Sequence, residues 1–276
     1  MTSLAWRPVR GMDFRKLHDA RLQAHYAAQW LARAARAHIA PRPDDQHTNL
    51  GWDEEFGGLR THRLPDGSRV GLNIAELSLS VLGDTTQTLM LDGRADPEVR
   101  AWLGAQLSAR GFDPARLDTL SPYDMPHHVL AHGARYSIEE LTEQLAMLSL
   151  WFPNGCGALD RVRDKMVARK LKAPEVRCWP HHFDFDSLVP LGKGRTMGLG
   201  WSPGDDYCDE PYFYLSMYPE PVIPKLPLLP PQGHWHSYHF VAALAPAHKI
   251  VVVPDQASYV DGFLNFAIDA ALEAMR

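Results

Sequence analysis

The chain has 276 residues, of which 45% are hydrophobic, and 33 acidic against 28 basic side chains give a formal net charge of −5 at pH 7. A chain of this length can bury a large core, and its acidic balance argues against nucleic acid as a partner. Its three cysteines are too few for a disulfide framework, and its apolar runs are too short to span a bilayer, so we expect no membrane partner and a reduced, cytoplasmic protein.

The first half of the sequence predicts a helix, a group of strands and a second helix. Residues 14–38 are rich in Ala, Leu, Arg and Gln and contain neither Gly nor Pro, and Asp13 is placed to cap the start of that helix. Short alternating runs separated by turn residues predict strands at 58–64, 69–74, 77–81 and 86–91. Asp96-Pro97-Glu98 then predicts a helix start, and Gly111 follows its end.

The second half repeats this order after an irregular stretch at 112–136. Ser137 to Glu140 has the pattern of a capping box and predicts a helix that breaks at 154–157, followed by another to about Lys172. Extended segments are predicted at 175–186, 195–201, 211–218 and 234–244, with a proline-rich arm at 219–231. Asp255 predicts the start of a last helix that ends near Met275.

Strands joined by short turns are antiparallel, so the predicted fold class is α+β. We interpret residues 1–276 as a single domain with two similar halves, about 1–115 and 116–276. The segments 37–74 and 169–201 also share an Ala-Pro, a glycine turn and a Gly-Leu pair, which suggests an internal duplication. The alternative is that any two segments of helix and hairpin share such features.

The stretch RCWPHHFDFDSLVPLG, residues 177–192, places two histidines and two aspartates among aromatic residues. Side chains alternate along a strand, so an extended backbone from Trp179 onward puts His182, Asp184 and Asp186 on one face. The same alternation assigns Gly198, Gly200, Tyr212 and Tyr214 to that polar face, and the large apolar residues to the opposite face. Because glycine inside a strand often marks the close approach of another group, we predict a shallow recess there.

This polar face is the predicted site for a small-molecule ligand. His182 and Asp184 are the candidate catalytic residues, acting as a general base in hydrolysis. Together with His234 and His236 they form a candidate ligand set for a divalent metal such as zinc. The candidate ligand-binding residues are Asp186, Tyr212, Tyr214 and Trp235.

Two other interpretations remain open for the same residues. Antiparallel sheets often expose one face to water, so the polar face can be plain surface. Exposed aromatic residues beside a proline-rich arm also suit a protein-interaction or structural module, of which a homodimer through this face is a specific version. The sequence contains no nucleophile elbow, phosphate-binding loop, dinucleotide fingerprint or H-E-x-x-H motif, which disfavours the commonest hydrolase, nucleotide-binding and metalloprotease classes.

The second half of the chain contains five distinctive short motifs: W-P-H-H-F-D at 179–184, S-P-G-D at 202–205, E-P-Y-F-Y at 210–214, Y-P-E-P at 218–221 and G-H-W-H at 233–236. They resemble the signatures of a bacterial family of uncharacterised proteins. The resemblance extends over most of the chain, including T-N-L-G-W at 48–52. It implies a bacterial, cytoplasmic α+β protein and carries no assigned reaction, cofactor or catalytic residue.

Overall fold

A computed structural model describes residues 4–11, 13–222, 226–238 and 240–275. The fold class is α+β, as predicted. The helices are α1 (Leu17–His38), α2 (Asp96–Ser108), α3 (Thr142–Ala168), α4 (Ala247–Ile250) and α5 (Gln256–Ala274). The strands are β1 (Gly51–Asp53), β2 (Gly58–Arg60), β3 (Arg69–Asn73), β4 (Ser78–Leu82), β5 (Gln87–Met90), β6 (Arg177–Trp179), β7 (Asp184–Gly192), β8 (Arg195–Ser202), β9 (Tyr212–Tyr218), β10 (His234–His236) and β11 (Ala242–Pro246). None of the helices in the described ranges combines the length and the apolar character that crossing a membrane requires.

The strands form two antiparallel sheets. The first has five strands in the order β1-β2-β3-β4-β5, and the second has six in the order β10-β11-β9-β8-β7-β6. The chain divides into two compact units. The first unit is Lys16–Ser149 with Cys178–Phe183, and the second unit is Met1–Arg15, Leu150–Arg177 and Asp184–Arg276. The internal duplication and the single domain with halves meeting near residue 115 stay predictions.

The first unit contains the five-stranded meander and helices α1 and α2. The four strands predicted before residue 92 are all present, and β1 is an additional short strand. Helix α1 packs against β3, with Leu17 and Leu31 among its fully buried side chains. Helix α2 begins at Asp96 as predicted, and Glu98 accepts a hydrogen bond from the Ala95 N–H at 3.0 Å, which satisfies a free backbone donor at the helix start.

The second unit is built on strands β7 to β11, with α5 packed on β9 and β11. Phe185, Trp201 and Phe213 face its core and are fully buried. The Asp255 side chain accepts a hydrogen bond from the Ser258 N–H at 3.0 Å, so the predicted cap of the last helix is confirmed.

Helix α3 differs from the prediction in its start and its continuity. It begins at Thr142 rather than at the predicted capping box, and it runs without a break through residues 154–157. Gly155 is required because a Cβ there would lie 2.6 Å from the Trp201 ring, so the glycine lets the helix approach the sheet closely. Asn154 accepts from the Arg7 N–H and donates to the Arg7 carbonyl, both at 2.7 Å. Asn154 and Gly155, which suggested a helix end, therefore serve to pack the helix against its neighbours.

Candidate functional site

The predicted alternation holds along β7, β8 and β9. Asp186 lies opposite Gly200, and Gly200 lies opposite Tyr214, so these three residues share one face of the sheet. On the opposite face, Phe185, Trp201 and Phe213 lie side by side on the three strands and point into the core. From Asp184 onward, the even-numbered residues of β7 therefore occupy the predicted polar face.

The prediction of an extended backbone from Trp179 is wrong for residues 180–183, which form a turn. Phe183 has φ = 59°, and its N–H donates to the Trp179 carbonyl at 2.7 Å, so alternation does not carry across it. The His182 side chain is exposed, and its ring packs on His181 with centroids 4.3 Å apart. The expected pairing of His182 with Asp184 as neighbours on one strand thus loses its structural basis.

Tyr214 crosses the sheet over Gly200 and reaches Asp184. A Cβ built on Gly200 would lie 2.2 Å from the Tyr214 ring carbon Cζ, so the ring occupies the space that glycine leaves. The Tyr214 hydroxyl donates to Asp184 Oδ2 at 2.6 Å. Burial and the Asp184 charge raise the pKa of Tyr214, which therefore stays a hydrogen-bond donor. The group that approaches Gly200 closely is therefore the Tyr214 side chain rather than a ligand.

Gly198 is covered in a similar way by Ser216. A Cβ on Gly198 would lie 2.5 Å from the Ser216 hydroxyl and 3.6 Å from Asp186 Oδ1. The predicted open recess is therefore filled at both glycines by side chains of the sheet.

Asp186 differs from a surface carboxyl in its burial and in its pKa. Its Oδ1 is buried and forms no hydrogen bond among the described residues, while the rest of the side chain is partly exposed. Burial, and then the neighbouring charge of Asp184, raise the pKa of Asp186 from 3.8 to about 8. The Asp186 carboxyl therefore favours its protonated form at neutral pH.

Exposed apolar side chains lie on the same face of the sheet as this carboxyl pair. Leu188 follows Asp186 by two residues and is 54% exposed, and Tyr218 at the end of β9 is 66% exposed. Asp186 therefore lies at the border between a buried polar network and a surface open to solvent.

Tyr212 anchors the acidic loop at 205–210 and is buried. Its hydroxyl donates to Asp205 Oδ2 at 2.5 Å, and Asp205 Oδ1 accepts from the N–H groups of Tyr207 and Cys208. Burial and Asp205 raise the pKa of Tyr212. Both Asp205 oxygens are thereby used to hold the loop, which argues against their use for a cation.

His234 and His236 share a face of β10, and the strand register aligns that face with Tyr214. Strands β11, β9 and β8 separate them from β7, which at about 4.8 Å per strand places them roughly 19 Å from Asp184 and Asp186. Trp235 points to the opposite face, and its indole N–H donates to the Pro227 carbonyl at 2.7 Å. These residues are therefore not gathered into one site.

The described part of the chain contains no group of three or more His, Cys, Asp or Glu side chains that could hold a metal ion. The predicted ligand set of His182, Asp184, His234 and His236 is therefore not found as a cluster. A zinc-type site needs three or four donors around one point.

The turn at 180–183 is held within the first unit by buried polar contacts from α1. The Pro180 carbonyl accepts from Gln29 Nε2 at 2.8 Å and lies 2.7 Å from His25 Nε2. Burial lowers the pKa of His25 to about 4, so its ring is neutral, and Nε2 carries the proton because a carbonyl only accepts. Tyr123 completes the network by donating to Gln29 Oε1 at 2.8 Å.

A partly open cavity of about 260 Å³ adjoins this turn, also within the first unit. Its lining includes Arg36, Asp44, Asp45, Tyr123, Trp179 and His181. This site could not be predicted from the sequence, because its residues come from a helix, an irregular segment and a turn that share no periodic pattern. The one available signal was the aromatic W-P-H-H motif itself, which the strand interpretation assigned to a sheet face.

Comparison with known proteins provides no further assignment. The chain matches no family model, no curated protein and no solved structure.

Proposed function

We propose that the polar face of the second sheet binds a small molecule at Asp184, Asp186 and Tyr214, and that Asp186 exchanges a proton with it. Asp184 serves as the ionised partner that Tyr214 holds in place. The reaction class that suits this arrangement is hydrolysis with general acid–base assistance. One carboxyl protonates the leaving group while the ionised carboxyl accepts the proton of the attacking water.

The observation that carries this proposal is the position of Asp186. It lies two residues from a second carboxylate on the same strand face, has one oxygen buried, and borders exposed Leu188. Paired carboxyls that share a proton are a recurring arrangement for acid–base chemistry near neutral pH. The metal-assisted version has less support, since His234 and His236 lie four strand spacings away.

The direct test is a titration of the aspartate side-chain carbons by ¹³C NMR, with the Asp186 signal assigned from Asp186→Asn. We expect Asp186 to titrate near pH 8. A titration of Asp186 near pH 4 would remove the basis of the proposal.

The chemical step is tested with chromogenic ester, phosphate and glycoside substrates. Any hydrolysis that depends on protonated Asp186 should decline as pH rises through about 8, and Asp186→Asn should reduce the rate by at least about tenfold. The control is Asp206→Asn, which changes an exposed aspartate of the acidic loop. Hydrolysis that Asp186→Asn leaves unchanged contradicts the assignment.

The second candidate function is self-association through the same face, and the exposure of Leu188 and Tyr218 favours it. We propose Tyr218→Arg, rather than a change at Tyr214, as the informative variant, since Tyr214 is bonded to Asp184 within the protein. If this face forms a dimer, light scattering should show a dimer for the wild type and a monomer for Tyr218→Arg. A wild-type monomer at the highest soluble concentration contradicts self-association and leaves the small-molecule proposal intact.

A further inference from the structure

The cavity beside the turn at 180–183 has the size and the walls of a small-ligand site. A cavity of about 150 Å³ holds benzene, so about 260 Å³ leaves room for one ring with a short substituent. The His181 ring lies 5.6 Å from Tyr123 and 5.9 Å from Trp179, measured between centroids. Aromatic rings thus line the cavity, as is typical of pockets that bind planar or cationic groups.

Arg36 brings a positive charge to this cavity without a full set of partners. Its Nη1 is buried and has no hydrogen-bond acceptor among the residues that the structure describes. Its guanidinium carbon lies 5.8 Å from the centroid of the Tyr123 ring. Arg36 also lines the cavity, and a carboxylate is the acceptor that matches a guanidinium best.

Asp45 brings a negative charge to the same cavity. Asp44 beside it lies 3.3 Å from Arg42 Nε, so its charge is balanced, whereas Asp45 forms no ion pair within the described ranges. His181 does not balance Asp45, because burial and the neighbouring His182 lower the pKa of His181 to about 4 and keep its ring neutral. Arg36 and Asp45 therefore present opposite charges to one cavity without pairing with each other.

We propose that this cavity binds a small zwitterion, specifically a free α-amino acid with an aromatic side chain. Arg36 receives the carboxylate, Asp45 receives the ammonium group, and the ring of the ligand packs against Tyr123 and Trp179. The site lies within the first unit and shares no residue with the polar face of the second sheet. This proposal is therefore independent of the proposed acid–base function.

The test titrates the full-length protein with L-phenylalanine and follows the indole N–H signals in a ¹H–¹⁵N spectrum. Two analogues each lack one charge: 3-phenylpropanoate has no ammonium group, and phenethylamine has no carboxylate. We expect saturable binding of L-phenylalanine and binding at least about tenfold weaker for each analogue, the loss that one charge-assisted hydrogen bond supports. Absence of saturable binding, or equal binding of either analogue, overturns the proposal.

Two variants and a matched control locate the site. Arg36→Met keeps the length of the side chain and removes its charge, and Asp45→Asn removes the opposite charge from an exposed loop; each should weaken L-phenylalanine binding at least about tenfold. Arg63→Met removes an exposed arginine of the same unit that does not line the cavity and should leave the affinity unchanged. Unchanged affinity in Asp45→Asn, or a loss in Arg63→Met equal to that in Asp45→Asn, contradicts the assignment even where Arg36→Met fails to fold.

Discussion

Asp186 shows how the surroundings of a single residue change its chemistry. An isolated aspartate is ionised at neutral pH, but burial and the adjacent charge of Asp184 make ionisation of Asp186 costly in the folded state. Tyr214 relieves Asp184 by donating a hydrogen bond, and the proton stays on Asp186. The two carboxyls therefore have different surroundings although they lie on one strand two residues apart.

The raised pKa of Asp186 has a consequence for stability. Between pH 3.8 and about 8 the folded state holds a proton that the unfolded state releases, so the free energy of unfolding falls as pH rises through this range. Asp186→Asn mimics the neutral carboxyl, so its advantage over wild type in free energy of unfolding should grow by about 1.4 kcal/mol per pH unit between pH 4 and pH 8, and vanish toward pH 4. Urea unfolding across this pH range measures it.

Asp206→Asn serves as the reference in the same series, because Asp206 is exposed and should show no such pH-dependent gain. An Asp186→Asn variant that is less stable than wild type at pH 8 would mean that the carboxyl is ionised and stabilising.

The face of each residue in β7, β8 and β9 could be predicted from alternation, because the hydrophobic set is continuous from Phe185 to Met217. His182 could not, since the left-handed conformation of Phe183 interrupts the strand, and such a φ in a phenylalanine leaves no trace in a hydrophobic pattern. The role of Gly200 was predicted as a place of close approach. Only the three-dimensional structure identifies Tyr214 as the group that approaches Gly200.

At the scale of elements, α3 shows why helix ends are hard to predict. Gly155 and Gly157 follow Pro153 and Asn154, and in an isolated peptide these residues favour a break. In the folded chain, Cβ atoms at the two glycines would lie 2.6 Å from Trp201 and 2.9 Å from Leu4. Tertiary packing therefore outweighs local helix propensity here.

Replacement of Gly155 by alanine should consequently destabilise the protein. The added methyl group would overlap the Trp201 ring, and overpacking of this kind costs about 1–3 kcal/mol, more than the gain in helix propensity. The matched control is Gly262→Ala in α5, where a Cβ meets nothing within 4 Å and a gain of about 0.5–1 kcal/mol is expected. Thermal unfolding of both variants measures the contrast, and a stabilised Gly155→Ala would contradict the packing argument.

At the scale of the whole molecule, the order of elements along the chain could be predicted from the sequence. The strands and helices follow the predicted order closely, whereas the two compact units combine segments that are distant in the chain. The first unit takes Leu130 and Tyr136 into its core from the segment predicted to be irregular, and it also includes residues 178–183. Contacts between distant segments, which no local pattern encodes, decide this grouping.

Fragments cut at the predicted boundary test the grouping directly. Residues 1–115 lack Leu117, Leu130 and Tyr136, all buried in the first unit, so neither 1–115 nor 116–276 should unfold cooperatively on its own. Circular dichroism and urea unfolding of the two fragments, beside the intact chain, provide the measurement. Cooperative unfolding of both fragments would instead support the two similar halves.

The Tyr214 ring lying over Gly200 also constrains how this protein can vary through evolution. A larger residue at position 200 leaves no room for the phenol, and a smaller residue at position 214 exposes Asp184 and uncovers the strand beneath it. The two positions are 14 residues apart in the chain, yet the Tyr214 ring fills the space that Gly200 leaves. We expect glycine at one and an aromatic residue at the other to be retained or lost together in descendants of this sequence.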